Sequence, residues 1–390
     1  MQYEFDVMTD RRGAGACKWE MMRRRKAVGA DIVPLSVADM EFPIAPEIRA
    51  ALQTYLARQI PGYAVAPEGF AGSVCAFLKR RHQLDVTPGQ LVQTPGIVYA
   101  LPRAIRALSA AGEGVILMTP VYYPFYRAIT LSGRKSAPCP LLYREGRYSI
   151  DFDLLERLAA RRENTVLLLC SPHNPVGRVW TAEEVRRIGE ICDRYGLGVI
   201  ADEIHFDLVF PGHPHTSFGT LTGASAERTI LCTAPSKTFN LAGMNLSNLV
   251  VRNPELRKKL LGILDEDMTP MQNPFGYVAC QAAYDQGEAW LEELLAYLDG
   301  NRKFTADFIA REIPQLHAVP LEGTYLQWID CTALGLDQAA LEQRMIDHDL
   351  FLDEGYLFGA EGAGFERINL ACPRSVLAAA LERLKAAAAL

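Results

Sequence analysis

Lys237 stands where its amine could act as a nucleophile. It follows the apolar run 230–232 and lies between two hydroxyl side chains, Ser236 and Thr238. Burial disfavours the charged form of a lysine, and the neutral amine that results can attack a carbonyl group to form a Schiff base. Taken alone, the position also fits an ordinary surface lysine in a loop.

Two other polar residues follow apolar runs earlier in the chain. Asp202 comes directly after the run 199–201, and Asn174 lies in the turn-rich segment 171–177. A carboxylate such as Asp202 can pair with the protonated ring nitrogen that pyridoxal phosphate (PLP) uses as an electron sink, and Asn174 can donate to its phenolate oxygen O3′. By themselves, Asp202 also fits a helix cap or salt bridge, and Asn174 also fits plain turn chemistry.

Short apolar runs alternate with helical patterns through the middle of the chain, and each run ends in a polar or turn-forming group. The runs are 115–118, 166–170, 199–201, 230–232 and 249–251. This pattern predicts a mostly parallel, mixed sheet with helices on both faces. Ligands bind at the carboxyl edge of such sheets, so we expect the polar residues that follow the runs to meet in one crevice. These residues are Tyr122, Asn174, Asp202 and Lys237.

The two ends of the chain differ from this middle part. We interpret residues 46–285 as a large domain, and residues 1–45 together with 286–390 as a smaller α/β domain built from both termini. The clearest helix begins at Thr181, with Glu184 at capping-box spacing, and ends at Gly196.

Composition limits the class of protein. The chain has 390 residues, 49% of them hydrophobic, and a formal net charge of −6, which argues against nucleic acid as a partner. No apolar run is long enough for a membrane span, and the start lacks a secretory signal, so we expect a cytoplasmic protein. Nine scattered cysteines fit free thiols in a reducing compartment. His213 and His215 flank a proline in a turn, so we expect no metal site.

The order and spacing of the motifs resemble one family, the fold-type I PLP enzymes of the class I/II aminotransferase group. Within it the chain is similar to the MalY/PatB-like cystathionine β-lyase branch. The matching segments are Val37-Ala-Asp-Met-Glu-Phe42, Gly62-Tyr63, Ser171-Pro-His-Asn-Pro-Val-Gly-Arg-Val-Trp180, Asp202-Glu-Ile-His205, Ser236-Lys-Thr-Phe-Asn-Leu-Ala-Gly243 and Arg367-Ile-Asn-Leu-Ala-Cys-Pro-Arg374.

The resemblance implies a role for each residue around the cofactor ring. Lys237 holds PLP as a Schiff base and later moves the Cα proton. Asp202 pairs with the pyridine nitrogen, Asn174 binds O3′, and Tyr122 stacks on the ring. His205, which stands where aminotransferases of this group usually have a tyrosine, is expected to contact the cofactor.

The resemblance also implies how the phosphate and the substrate are bound. Gly96 and Ile97 offer backbone N–H groups to the phosphate at a helix start, and Ser236 adds a hydroxyl. Tyr63 reaches the phosphate of a neighbouring subunit, so the active unit is expected to be a homodimer. Arg367 binds the α-carboxylate of an amino-acid substrate as a fork.

Two departures from the aminotransferase pattern favour the lyase branch. Asn245 replaces the usual phosphate-binding arginine eight residues after the lysine, and His205 replaces the usual tyrosine. The predicted function is a carbon–sulfur β-lyase that releases pyruvate, ammonia and a thiol from cystathionine, cysteine or related S-substituted cysteines. The alternatives are a PLP-dependent aminotransferase and a non-enzymatic PLP-binding regulator. The sequence does not rank the substrates.

Overall fold

The computed structural model describes residues 2–389. The strands of this part of the chain are β1 (Leu91–Thr94), β2 (Gly114–Thr119), β3 (Lys135–Pro140), β4 (Leu142–Arg144), β5 (Arg147–Ser149), β6 (Asn164–Cys170), β7 (Gly198–Asp202), β8 (Thr229–Thr233), β9 (Ser247–Val250), β10 (His317–Ala318), β11 (Leu326–Asp330), β12 (Asp353–Glu354) and β13 (Phe365–Asn369). The α-helices are α1 (Cys17–Arg25), α2 (Pro46–Arg58), α3 (Phe70–His82), α4 (Ile97–Leu108), α5 (Pro124–Leu131), α6 (Phe152–Ala159), α7 (Ala182–Tyr195), α8 (Ala224–Glu227), α9 (Pro235–Thr238), α10 (Pro254–Glu266), α11 (Pro274–Gln286), α12 (Glu288–Glu312), α13 (Gln338–Asp347) and α14 (Arg374–Ala388).

The large sheet has the strand order β1-β9-β8-β7-β6-β2-β3. Strands β3, β2, β6, β7 and β8 are parallel in succession, and β9 is antiparallel to both of its neighbours. The prediction of a mostly parallel, mixed sheet is therefore confirmed. All five apolar runs form strands of this sheet, namely β2, β6, β7, β8 and β9.

Alternation of side chains along the strands gives the large sheet two buried faces. In β2, Ile116 and Met118 belong to one hydrophobic core, whereas Val115 and Leu117 belong to another on the opposite face. Successive residues of a strand point to opposite faces, so an uninterrupted apolar run requires helices on both sides. The continuous runs of the sequence follow from this double coverage.

Strand β9 runs in the opposite direction to the parallel strands. Because β9 is antiparallel to β8, its carboxyl end lies at the edge opposite to the carboxyl ends of the parallel strands. The residues before β9, including Asn245, are therefore the ones near the predicted site. Strands β1 and β3 were not predicted, since β1 has only four residues and β3 is a partly exposed edge strand containing Pro138.

The predicted helix after Thr181 is confirmed. Thr181 Oγ1 accepts from Glu184 N at 3.2 Å, and Glu184 Oε2 accepts from Thr181 N at 2.8 Å, which closes the capping box. Gly196 ends α7 with a φ of 75°, a left-handed conformation that glycine adopts without strain. This helix covers one face of the large sheet with Val185 and Ile188.

A second, antiparallel sheet lies in the carboxy-terminal part of the chain, with the order β10-β11-β13-β12. Residues 35–42, called the strap below, connect it to the large sheet. Leu35 O accepts from Asn369 N of β13 at 2.8 Å, and Phe42 O accepts from Asn240 Nδ2 at 3.1 Å. Asn240 lies only three residues after Lys237, so the strap links residues 236–243, called the lysine loop below, to the smaller sheet.

Among the helices of residues 2–389, none has the length and the apolar character that a membrane span requires.

A buried carboxylate anchors the lysine loop from the other side. Asp207 is 2% exposed, and its Oδ2 accepts from Thr238 Oγ1 at 2.7 Å. Its Oδ1 accepts from Arg81 Nε at 3.2 Å and lies 2.8 Å from His82 Nε2. These contacts tie the end of α3 to the residue that follows Lys237.

Replacement Asp207→Ala is expected to lower the free energy of unfolding by about 3–5 kcal/mol, because it removes the buried carboxylate that joins Thr238 to Arg81 and His82. Urea unfolding of purified protein measures this. The matched control is Asp85→Ala, because Asp85 pairs with Lys79 while its side chain is 86% exposed; its effect should stay within about 0.5 kcal/mol. Equal small effects in both variants would contradict the anchoring role.

Candidate functional site

A cavity of about 200 Å³ opens at the carboxyl edge of the large sheet. Eight of the ten residues named from the sequence line it, and they come from segments far apart in the chain. They are Gly96, Ile97, Tyr122, Asn174, Asp202, His205, Ser236 and Lys237. The other two, Tyr63 and Arg367, are not among its lining residues. The polar residues that follow the strands thus lie in one cavity, as expected.

Lys237 lies in the short helix α9 just after β8. Its side chain is half-buried, and Nζ donates to Ala38 O of the strap at 2.7 Å. Burial lowers the pKa of Lys237 to about 8, with the positive charges of Arg367 and Lys18 acting in the same direction and the carboxylates of Asp39 and Asp202 opposing them. A substantial fraction of this amine is neutral near physiological pH.

Asp202 is the last residue of β7 and is 4% exposed. Its Oδ1 accepts from Ile204 N at 3.2 Å, and within residues 2–389 it forms no ion pair. Burial raises the pKa of Asp202 to about 7. A carboxylate in such a place is stabilised by a cationic partner in the cavity, and a protonated ring nitrogen has the required charge.

Asn174 connects the cavity wall to Arg367. Asn174 O accepts from Tyr122 N at 3.1 Å, and Asn174 Oδ1 accepts from Arg367 Nη1 at 2.7 Å. Because Oδ1 is taken up by the arginine, the Nδ2 group remains as the donor of this side chain. Asn174 can therefore donate to an oxygen of a bound ring while it orients Arg367.

The start of α4 forms one end of the cavity. Gly96 has a φ of 96° and its N–H donates to Thr94 O at 2.8 Å. The Gly96 N–H is thus engaged, contrary to the expectation that it is offered to a phosphate. Ile97 and Val98 occupy the first turn, where N–H groups lack acceptors within the helix, and both line the cavity.

His205 is buried beside Lys237. Burial lowers the pKa of its imidazole well below the ordinary value, and the charges of Lys237 and Arg367 add to this effect. Its Nδ1 is buried and has no hydrogen-bond partner in the described part of the chain. The ring is therefore neutral and has an uncommitted polar atom.

Two residues beside Lys237, Ala38 and Tyr325, were not identified from the sequence. The carbonyl of Ala38 accepts from Lys237 Nζ and also from Tyr325 OH, the latter at 2.9 Å. The signal for Ala38 was its place in the motif 37–42, which carries no chemistry of its own. No signal pointed to Tyr325.

Tyr63 lies at the surface and is 98% exposed. Ile60 and Val65 beside it are 87% and 75% exposed, so several apolar side chains in this segment are uncovered. Tyr63 contributes nothing to the cavity of its own chain. Any role at the site requires a second copy.

Taken together, the polar groups around the cavity fit PLP. A buried carboxylate without a cation, an amine of lowered pKa and a helix start with free N–H groups next to the Ser236 hydroxyl match a ring nitrogen, an aldehyde and a phosphate. Asp202, Lys237, Ile97 and Ser236 are the residues that would hold these groups.

The chain belongs to the aminotransferase class I and II family, whose profile matches residues 30–384. Among curated proteins it is 36% identical to cystathionine β-lyase PatB of Bacillus subtilis (strain 168), over 98% of this chain and 99% of that one. It is 32% identical to protein MalY of Escherichia coli (strain K12), over 96% of each chain. Among solved structures, cystalysin from Treponema denticola, which contains pyridoxal 5′-phosphate, superposes with a TM-score of 0.97 at 44% identity, over 99% of each chain.

The lowered pKa of Lys237 is open to direct measurement. In protein freed of any bound cofactor, competitive labelling with acetic anhydride should give Lys237 a midpoint near pH 8, because burial favours the neutral amine. The control is the same peptide in urea-unfolded protein, where the pKa should return towards the ordinary 10.5. A midpoint that is the same in folded and unfolded protein would contradict the burial argument.

Proposed function

We propose that this protein is a PLP-dependent carbon–sulfur β-lyase that releases pyruvate, ammonia and a thiol from an S-substituted cysteine. The observation that carries the proposal is the meeting of Lys237 and Asp202 in one cavity, with Arg367 bound to Asn174 at its wall. Similarity to a curated cystathionine β-lyase over nearly the whole chain supports the elimination reaction.

The residues divide the work of such a reaction. Bound PLP supplies an electron sink for the electron pair left at Cα. The Lys237 amine, with its pKa lowered to about 8, would remove the Cα proton, and Asp202 would pair with the ring nitrogen and so keep it protonated. Arg367 would bind the α-carboxylate, and Asn174, whose Oδ1 accepts from Arg367 Nη1, would donate to the ring oxygen.

Departure of sulfur is assisted by a proton donor, and Tyr122 has the properties for this. Burial raises the pKa of its phenol, so the hydroxyl stays protonated through the neutral range. It lines the same cavity as Lys237, which is a second candidate for the proton donor. Tyr63 of a neighbouring subunit is the third.

The aminotransferase alternative shares the early steps and differs in its need for an acceptor. Purified protein with L-cystathionine, L-cysteine or S-methyl-L-cysteine should release pyruvate without any keto acid, and Lys237→Ala should abolish release because the base is lost. Lactate dehydrogenase coupling measures the product. Turnover that appears only when 2-oxoglutarate is added would favour the aminotransferase, and PLP binding without turnover of any amino acid would favour a regulator.

We further propose a homodimer in which Tyr63 completes the site of the other subunit. The uncovered apolar side chains near Tyr63 are the kind of surface that an interface buries. Val98, which lines the cavity, is also 51% exposed, so uncovered apolar surface reaches the cavity rim. We also propose that residues 46–285 form a large domain and that residues 1–45 and 286–390 together form a smaller one. We propose a cytoplasmic location as well, since nine free cysteines fit a reducing compartment.

Mixing two defective variants tests the shared site. Lys237→Ala should be inactive and Tyr63→Ala poorly active, while refolding them together should restore about a quarter of wild-type activity, since half of the dimers then contain one intact site. The control pair is Lys237→Ala with Asp202→Ala. Both of these lesions act within their own chain, so their mixture should stay inactive. Failure of the first mixture to exceed its components would contradict the role of Tyr63.

A further inference from the structure

Arg367 already has a carboxylate partner within the protein. It is 2% exposed, and its Nη2 donates to Asp353 Oδ2. Asp353 of β12 lies directly opposite Arg367 of β13 in the antiparallel register, and its side chain is only 9% exposed. The pair is therefore a buried cross-strand ion pair, positioned by the small sheet.

The guanidinium of Arg367 still has N–H groups that can donate to a ligand. Its Nη1 donates to Asn174 Oδ1 at 2.7 Å, its guanidinium carbon lies 4.7 Å from the centre of the Phe358 ring, and Nε has no partner in the described part of the chain. The guanidinium is thus held in place from three sides. A substrate carboxylate that uses the remaining N–H groups meets an arginine whose charge Asp353 has already balanced.

The same oxygen of Asp353 also holds the strap. Asp353 Oδ2 accepts from Val37 N at 2.9 Å. Val37 has a φ of 55°, a strained conformation for a β-branched residue that persists only where the surroundings enforce it. The next residue, Ala38, presents its carbonyl to Lys237 Nζ. Asp353 therefore touches both the carboxylate-binding arginine and the segment against the reactive amine.

We propose that Asp353 is the resident counter-ion of Arg367 and sets the affinity of the site for the substrate's α-carboxylate. This inference rests on the proposed function, since it assumes that Arg367 binds that carboxylate. Two carboxylates that share one buried guanidinium repel each other, so Asp353 weakens substrate binding while it neutralises the empty site. It keeps the site from being saturated by simple carboxylates, including the product pyruvate.

The substitution Asp353→Asn isolates the charge. One oxygen of Asp353 makes both contacts, and an asparagine oxygen in its place can still accept from Val37 N and from Arg367 Nη2. The geometry is thus retained while the negative charge is lost. Glu354→Gln is the matched control, because Glu354 is the adjacent residue of β12 but pairs with Arg25 instead.

Two amines serve as probes of the PLP-loaded enzyme: L-alanine, which has the carboxylate but no leaving group at Cβ, and ethylamine, which lacks the carboxylate. Binding is followed by the change in visible absorbance. In Asp353→Asn the dissociation constant for L-alanine should fall about tenfold relative to wild type. Ethylamine binding should stay unchanged, and inhibition by pyruvate should strengthen in parallel. Glu354→Gln should behave as wild type.

Unchanged or weaker L-alanine binding in Asp353→Asn would overturn the proposal, and weaker binding would indicate that Asp353 acts only by aligning Arg367. Equal shifts for L-alanine and ethylamine would also overturn it, since the effect would then not involve the carboxylate. A wild-type protein that binds no PLP would instead refute the proposed function. If Asp353→Asn unfolds, Asp353→Glu keeps the charge and should leave the preference for L-alanine over ethylamine near that of wild type; a tenfold rise there would overturn the proposal.

Discussion

The burial of an amine and a carboxylate in the same cavity is the constraint on which the rest of the site depends. Burial disfavours the charge of Lys237 and that of Asp202, so the pKa of the first is lowered and that of the second is raised. Neither group forms an ion pair within residues 2–389. Such a pair of groups is costly in an empty site and becomes favourable when a cofactor offers an aldehyde to one and a cationic nitrogen to the other.

The parallel sheet makes this arrangement possible. Strands β6, β7 and β8 are neighbours, so their carboxyl ends bring together Asn174, Asp202 and Lys237 although 63 residues separate the first from the last. Asp207 and the strap then hold the lysine loop from two sides. The smaller sheet contributes Arg367, and its contact with Asn174 joins that sheet to the wall of the cavity.

The site residues that directly follow buried strands could be predicted from the sequence. Apolar runs mark buried strands, and their ends mark the edge where polar residues gather, so Tyr122, Asn174 and Asp202 could be placed from the sequence. The direction of β9 could not, because an apolar run has the same pattern in either orientation. The contacts of the strap could not be predicted either, because the hydrogen bond between Val37 and Asp353 spans 316 residues and leaves no local pattern in the sequence. The engaged Gly96 N–H is a detail of one turn that spacing does not reveal.

Reductive trapping of the cofactor shows whether Lys237 forms the Schiff base. Protein purified with PLP is treated with borohydride, digested and mapped by mass spectrometry. We expect visible absorbance before reduction, its loss afterwards, and a phosphopyridoxyl group on the peptide containing Lys237, with none on the same peptide of Lys237→Ala. A colourless protein that takes up no PLP, or a label on another lysine, would contradict it.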